Sequence, residues 1–559
     1  MPFLCLIKSC VLIYSVASMY LESIKSKRNG KTYITHLVRE SFRENGKIKH
    51  RTISNVSKLP PAHLQALKKS LKGIQGDFDM ANLQHGRSYE FGASYAFMEL
   101  AKDLNLNTML FSKRTQWRDN VLAMIVGRLV YQGSKLSLAN MYKDTALWNL
   151  AGHEPGVRPD VEKHCYSAMD ELLKRKDKIE KKLSRAHLQD GCMVLYDMTN
   201  TWFEGKYKHS ELVSFGKPKG GKVGYKQIAI GLLTDKNGCP VGVEIFKGST
   251  SDQTTVLGEV KKLSEKYGLK NLIFTGDRGM LTQKRIDEVS ETDYSTITAL
   301  THPQIESLLA KNNIQMELFD SRDTVEVIDD SNEKIRYILC KNEYTMKSET
   351  ETRQALIAKV ELELDKKARV KKKRDPLKLA ASIGRLFERC RVEKLFDWDI
   401  DADGKLSWSL NEEKVKQDQL LDGCYVIRTD APAETLDKDE VVQGYRNLQK
   451  VEQAFRNLKT VSLELRPMYH KTDERLKSHI FISTLAYYIQ WNAIQRLKPL
   501  FEQDAKFKEK RWTFEMIVER LKSIRMTEVL IDGTLIKTEL SQPDKEQQKI
   551  LDLLGVKLP

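Results

Sequence analysis

The chain has 559 residues, 41% of them hydrophobic and 30% charged, which is enough apolar material for several packed cores beneath a well-solvated surface. Lys and Arg outnumber Asp and Glu by 92 to 76, a net charge of +16 with a pI near 9.2, so the expected partner is a polyanion, nucleic acid above all. The eight cysteines, at 5, 10, 165, 192, 239, 340, 390 and 424, form no CxxC pair, which argues against a cysteine zinc site and for a reduced, cytoplasmic protein.

In chain order, residues 1–18 (MPFLCLIKSCVLIYSVAS) are apolar, but Lys8 interrupts them and no basic stretch precedes them. They fit neither a signal peptide nor a membrane span and read as an extension before a better start at Met19. No other stretch is long and apolar enough to cross a bilayer. Residues 19–60 read as a basic β-hairpin, with alternating residues on either side of Glu44-Asn45-Gly46-Lys47. Residues 61–190 carry apolar positions at helical spacing, with Asp160 a fitting N-cap.

At about 191 the period changes. MVLYDMTN (193–200), YKQIAIGLLTD and VGVEIFKG read as strands that can meander; a helix (254–267), the strand NLIFTGDRG, a helix from Thr282 and the strand YSTITAL follow. This describes a mixed α/β sheet over 191–300. Residues 301–440 interrupt it with short strands and a long charged helical stretch at 347–395. Within that stretch Lys366, Lys367, Arg369, Lys371, Lys372, Lys373 and Arg374 crowd into nine positions. Such a run is often merely solvated; beside an acidic site it reads as a contact to a phosphate backbone. Helix returns over 441–500, and 501–559 form a C-terminal region.

Asp197 and Asp277 each follow an apolar strand, where sheets open at their ligand-binding edge. Either alone is ordinary turn chemistry. Together with a helical acid they suit Mg²⁺ or Mn²⁺, which prefer oxygen ligands, two ions serving in-line phosphoryl displacement. The third acid is Glu452 in YRNLQKVEQAFRNLK (445–459), a stretch without Pro or Gly that reads as one helix. Its bland reading is a solvated helix stabilised by a Glu452–Arg456 pair. As part of a triad, its three carboxyl groups must converge in the fold, and its cations face phosphates.

These residues carry a resemblance. Asp197, Asp277 and Glu452, with YRNLQKVEQAFRNLK, resemble the DDE triad of bacterial insertion-sequence transposases, the family four group in particular. Tyr445, Glu452 and Lys459 fit that group's Tyr/Arg/Glu/Lys spacing, while Leu448 stands where its Arg belongs and Arg456 is the candidate substitute. LLTDKNGCPVGVEIFKGSTSD, DGCYVIRTD and LRPMYHKTDERLKSHIFISTLAYYI extend the likeness, with Gly248-Ser249 in place of the usual Gly-Asn.

The resemblance implies an RNase H-like core interrupted by a large, mainly β insertion, and an α-helical N-terminal part that binds the element's terminal inverted repeats. It implies strand cleavage at the element ends and joining of the 3′-OH ends to target DNA. The expected partners are double-stranded DNA, as element ends and as target, and a second copy in a synaptic complex, with no membrane. Tyr445, Arg456, Lys459 and the 366–374 cations are the expected DNA contacts. The alternatives are a non-catalytic DNA-binding derivative and an RNase H-like nuclease that cuts without joining. Some relatives hold a flipped base on a Trp after the second Asp; here Arg278, Gly279 and Met280 stand there. Trp202 and Phe203 read as core, Asp235 as a turn residue, Asp252 as a cap, and His164, Cys165, His187, His470 and His479 as structural.

Overall fold

The computed structural model describes residues 18–559 apart from 29–30, 45–46, 72–82, 220–221, 321–323, 371, 462, 464, 467, 508–511 and 532–533; the expectation for residues 1–17 and for Lys371 lies outside the described residues. The chain divides into two compact units, one of residues 1–86 with 528–539 and one of 87–527 with 540–559.

In the first unit the expected hairpin is present: Lys31–Glu44 pairs antiparallel with Lys47–Asn55, closing at Glu44↔Lys47. The expectation stopped short, because Ser18–Arg28 pairs with Lys31–Glu44 from the other side, closing at Arg28↔Lys31. The region is a three-stranded meander, and the Asn-Gly expected to turn the hairpin at 45–46 lies outside the described residues.

The second unit is organised by an eight-stranded sheet. Its strands are β1 (Met193–Phe203), β2 (Lys226–Asp235), β3 (Pro240–Lys247), β4 (Ile273–Gly276), β5 (Ser295–Ala299), β6 (Val325–Asp329), β7 (Asn332–Lys341) and β8 (Cys424–Thr429). They lie in the order β6-β7-β8-β5-β4-β1-β2-β3. β1, β2 and β3 form an antiparallel meander, whereas β1, β4 and β5 run parallel. The residues predict a mixed α/β sheet, and the order 3-2-1-4-5 with that mix of directions agrees with the RNase H-like core that the resemblance implies. β1 and β2 are buried almost throughout, as their near-continuous apolar runs require.

The insertion is not a separate β module. It contributes β6, β7 and β8 to the same sheet, β8 pairing antiparallel with β5. Beyond them it builds its own apolar core from the helices Glu343–Ala368 and Pro376–Cys390 and the hairpin Phe396–Ile400/Leu406–Leu410. The long charged helical stretch expected at 347–395 is thus present as two helices, whereas the mainly β insertion that the resemblance implies is not. The stretch 343–390 is rich in Lys, Glu, Leu and Ala, and Asn342 and Asp375 cap the two helices by accepting backbone N–H bonds.

The helical region packs beneath the sheet. The 35-residue helix Asp473–Phe507 lies against Gln116–Val130 and Ser167–Leu173 and shares one core with them. Asp160 is the expected N-cap, accepting from the Lys163 amide. A buried ion cluster ties this region to the edge of the sheet. Glu180, wholly buried, accepts from Lys176 at 3.0 Å and Lys262 at 2.9 Å, and Glu244 of β3 accepts from the same two lysines at 2.8 and 2.7 Å. Such a cluster holds geometry chiefly because removing one member strands the others.

Gly248, after β3, has a packing reason to be glycine. A Cβ there would stand 2.0 Å from the Gln227 carbonyl oxygen and 2.7 Å from that of Ser214, because the 212–217 loop crosses the β2–β3 edge at this point. Gly248→Ala should lower the urea midpoint by an amount corresponding to about 1–3 kcal/mol; an unchanged midpoint would show that the loop lifts away freely.

Candidate active site

Asp197 lies on β1, and Asp277 follows the last residue of β4. The parallel register pairs Tyr196 with Gly276, so the two acids occupy the next rung, on strands about 4.8 Å apart. β4 ends there because Asp277 opens a turn, its carbonyl accepting from the Met280 and Leu281 amides at 2.9 and 3.0 Å. Glu452 comes from the helix Leu448–Arg456, which packs on β1. Upstream of it the helix Lys438–Arg446 sits close on the sheet at Gly444, where a Cβ would meet Met193 and Ile297.

The three acids line one cleft of about 390 Å³ together with Asn342, Thr345, Tyr425, Tyr445, Arg446, Leu448 and Gln449. Asp197 is half-buried while Asp277 and Glu452 are exposed. Burial pushes the Asp197 carboxyl up to about 6, the charges of Asp277 and Asp252 adding to the rise, against a hydrogen bond from the Met198 amide and the cation of Lys219. Among the described residues no group of three His, Cys, Asp or Glu side chains stands close enough to hold one ion. Three carboxylates sharing a cleft repel one another. The donor set, hard carboxylate oxygens open to a cleft, nonetheless fits Mg²⁺, which is commonly held by one or two carboxylates and substrate phosphate.

The 445–459 stretch is not one continuous helix. Helices Lys438–Arg446 and Leu448–Arg456 meet at Asn447, and a π-helical turn, Asn457–Val461, follows. Tyr445, Leu448, Gln449 and Glu452 face the cleft together, as helical spacing predicts. Tyr445 donates to Asp277 at 3.5 Å, and its hydroxyl is pushed up to about 12, by burial first and then by the Asp277 charge. Lys459 does not share this face. The wider turn carries it to Thr199, to which it donates, and into a separate cavity; burial, then the neighbouring Arg466 cation, lowers its ammonium to about 8. Arg456 is exposed and does not line the cleft. Leu448 both lines the cleft and packs against the core. The guanidinium that does line it is Arg446, which donates to the Tyr425 hydroxyl at 2.8 Å.

The basic run ends one insertion helix and leads into the next. Lys366 pairs with Glu363 at 2.8 Å, Arg369 with Asp365 at 3.4 Å and Lys373 with Asp403 at 2.6 Å. Lys367 donates to Ser382 and Arg374 to the Gly404 carbonyl, while Lys372 is exposed. None of these residues lines the cleft. The neighbouring acids behave otherwise. Asp235 is the expected turn residue, accepting from the Asn237 and Cys239 amides, both at 2.8 Å. Asp252 makes no side-chain cap and pairs with Lys219 instead. His479 is fully buried against Lys135 and the Leu465 carbonyl, and His470 packs between it and Tyr166.

Phe203 is core, as expected, and Trp202 is half-buried; both line the second cavity. Arg446 and Tyr425 stand inside YRNLQKVEQAFRNLK and DGCYVIRTD, but no spacing in the sequence distinguishes them from their neighbours as cleft residues. Asn342 and Thr345 carried no signal at all, because the insertion reaches the cleft only through the fold.

The family model of the transposase DDE domain matches residues 194–489, and that of the IS1634 family transposase N-terminal domain matches residues 21–80. The Tyr445/Glu452/Lys459 spacing resembles the family four group, whereas the N-terminal match names the IS1634 family. No curated protein matches the chain. Two remote structural likenesses are a piggyBac transposase synaptic complex with hairpin DNA and a Mos1 transposase paired-end complex with the left transposon end. The first has a TM-score of 0.33 at 10% identity over 77% of this chain and 75% of that one. The second has a TM-score of 0.14 at 16% identity over 43% and 68%. Among the described residues no helix is long and apolar enough to cross a membrane. With more than half of its length matched by the one model and its first strands by the other, the chain belongs to the DDE-domain transposases of insertion sequences.

Proposed function

We propose that this transposase binds the terminal inverted repeats of its own insertion sequence, cleaves DNA strands at the ends and joins the 3′-OH ends to target DNA. One observation carries the proposal: Asp197, Asp277 and Glu452, three positions far apart in sequence, line one cleft beside the parallel pair β1 and β4. In this reading they are the catalytic acids and hold two Mg²⁺ or Mn²⁺ ions. When bound, such ions activate the attacking hydroxyl and stabilise charge on the leaving oxygen.

The chain's own groups then divide the remaining work. Tyr445 holds the Asp277 carboxylate from the side by its hydrogen bond. Arg446 offers its guanidinium to a phosphate entering the cleft, oriented by Tyr425. Lys459 and the cations of 366–374 contact the DNA backbone away from the reacting bond. The region 19–188 supplies selective affinity for the element ends, and two copies of the chain bring the ends together.

Asp197→Ala, Asp277→Ala and Glu452→Ala should each abolish cleavage of a plasmid carrying the element ends in Mg²⁺, while end binding in a mobility-shift assay stays within about twofold, since phosphate contacts dominate affinity. Cleavage that survives in any one variant removes that acid from the site, and cut ends that never join would identify a nuclease. Arg446→Ala should slow single-turnover cleavage about tenfold, the scale of one charge-assisted hydrogen bond, and Arg456→Ala far less. Equal effects would return the role to Arg456.

The Asp197 carboxyl also predicts a stability effect of definite sign. Its pKa is raised in the folded state to about 6, so the folded chain binds that proton more tightly than the unfolded chain does. Stability is therefore lost as pH rises from about 4 through about 6. Asp197→Asn keeps an acceptor for the Met198 amide and removes the charge. In metal-free buffer at pH 7.5 it should raise stability by about 1–3 kcal/mol, and that gain should vanish near pH 4. A variant that melts no higher than the parent at pH 7.5 would refute this.

A further inference from the structure

Two of the three cleft acids are placed by strand pairing. Glu452 instead stands on a helix, whose place on the sheet no ladder of hydrogen bonds fixes. The ends of that helix give it little hold. Leu448–Arg456 starts at Asn447 without a side-chain cap and runs into the π-helical turn Asn457–Val461. Val451, Ala454 and Phe455 bury its apolar face, but apolar burial is non-directional, so it selects the face more than the place along it.

The turn between β2 and β3 meets this helix from behind. Lys450 and Glu452 are two residues apart, about 200° around a helix axis, and Lys450 does not line the cleft that Glu452 faces. The Lys450 ammonium donates to the Lys236 carbonyl at 3.1 Å. A Cβ at Gly238 would stand 2.9 Å from the Lys450 Cβ and 3.7 Å from its carbonyl oxygen, so the turn also packs on the helix backbone. The turn itself is firmly built. The Gly238 amide donates to the Asp235 carbonyl at 3.1 Å and the Asp235 amide to the Cys239 carbonyl at 3.0 Å. Gly238 has a φ of +86°, as in a type I turn closed by a glycine bulge. The buried Asp235 carboxylate accepts from the Asn237 and Cys239 amides. From a third side Trp491, on the helix Asp473–Phe507, donates its indole N–H to the Asn237 carbonyl at 3.2 Å. Three successive carbonyls, of residues 235, 236 and 237, are thus taken by the turn, by the Glu452 helix and by the long helix in order. An ordinary surface turn leaves its outward carbonyls to water.

We infer that the Asp235–Cys239 turn is the seat that sets the place of Glu452, with Lys450 and Asp235 as positioning residues. Lys450 fastens the helix to the turn, and Asp235 holds the turn in the shape that presents the Lys236 carbonyl. The inference rests on the proposed function for what Glu452 does, but the seat itself requires no catalysis.

The test is hydrogen–deuterium exchange of the full chain in metal-free buffer, read by mass spectrometry. Lys450→Met keeps the apolar stem and removes the donor. Its amides over 448–456 should exchange about tenfold faster than the parent's, the scale of one lost hydrogen bond from a charged group, while those of β1 keep the parental rate. Lys450→Arg restores a donor and should bring the helix back near the parental rate. Asp235→Ala should loosen the same segment, whereas Asp235→Asn, which still accepts from both amides, should not. In single-turnover cleavage of element ends, Lys450→Met should need about tenfold more Mn²⁺ for half its maximal rate, the scale of a lost support behind a metal ligand. A general loss of folding would lower the amplitude and leave that midpoint in place. Parental exchange over 448–456 in Lys450→Met, an equal acceleration in β1, or an unmoved Mn²⁺ midpoint despite local loosening would each overturn the inference. A parent that never cleaves would sink the proposed function, and the exchange comparison would still decide whether the turn holds the helix.

Discussion

The rest of the candidate site depends on the parallel pairing of β1 with β4. Parallel strands in register place equivalent residues side by side, and the Tyr196–Gly276 rung sets Asp197 beside Asp277. A slip of one residue would turn one of the two side chains to the opposite face of the sheet. What resists the slip is burial: β1 is closed in on both faces, and all four residues of β4 are buried. The hydrophobic effect that buries Val194, Leu195, Ile273 and Phe274 thereby fixes where two carboxylates stand.

That placement carries an electrostatic cost that the surroundings meet only in part. Asp197 is partly desolvated, and Lys219, which donates to the Met198 carbonyl and pairs with Asp252, is the cation that offsets the cost. Asp277 and Glu452 escape desolvation by facing the cleft. Acids gathered in one cleft in this way repel one another, the usual condition of a cluster that is not optimised for stability.

The insertion does more than separate Asp277 from Glu452 in sequence. By adding β8, β7 and β6 to the edge of β5, it carries Tyr425 and the start of its long helix to the mouth of the cleft. Asn342 caps that helix by accepting from the Thr345 amide at 3.0 Å, so both residues at the cleft come from a single helix terminus. The acidic centre is thus walled on one side by the core and on the other by the chain inserted into it.

Several features were determined by the sequence alone. Apolar runs ending in Asp197 and Asp277, the alternation on either side of Glu44 and Lys47, the Asp160 cap and the Tyr445/Glu452/Lys459 spacing are local patterns, and local patterns survive in one dimension because backbone geometry repeats at fixed periods. They yielded the strands, the mixed sheet and the family, and they singled out three acids that line one cleft. Tertiary structure decided what those periods do not encode. It broke the 445–459 helix at Asn447 and widened its last turn, which sent Lys459 to Thr199 and left Arg446 as the guanidinium in the cleft. It turned Trp202 from expected core into a cavity wall, and it merged the insertion's strands into the core sheet. Each of these outcomes rests on contacts between residues far apart in the chain, such as Lys459 with Thr199 and Cys340 with Tyr425. Such contacts are selected by packing and burial in three dimensions, and a sequence read position by position contains no record of them.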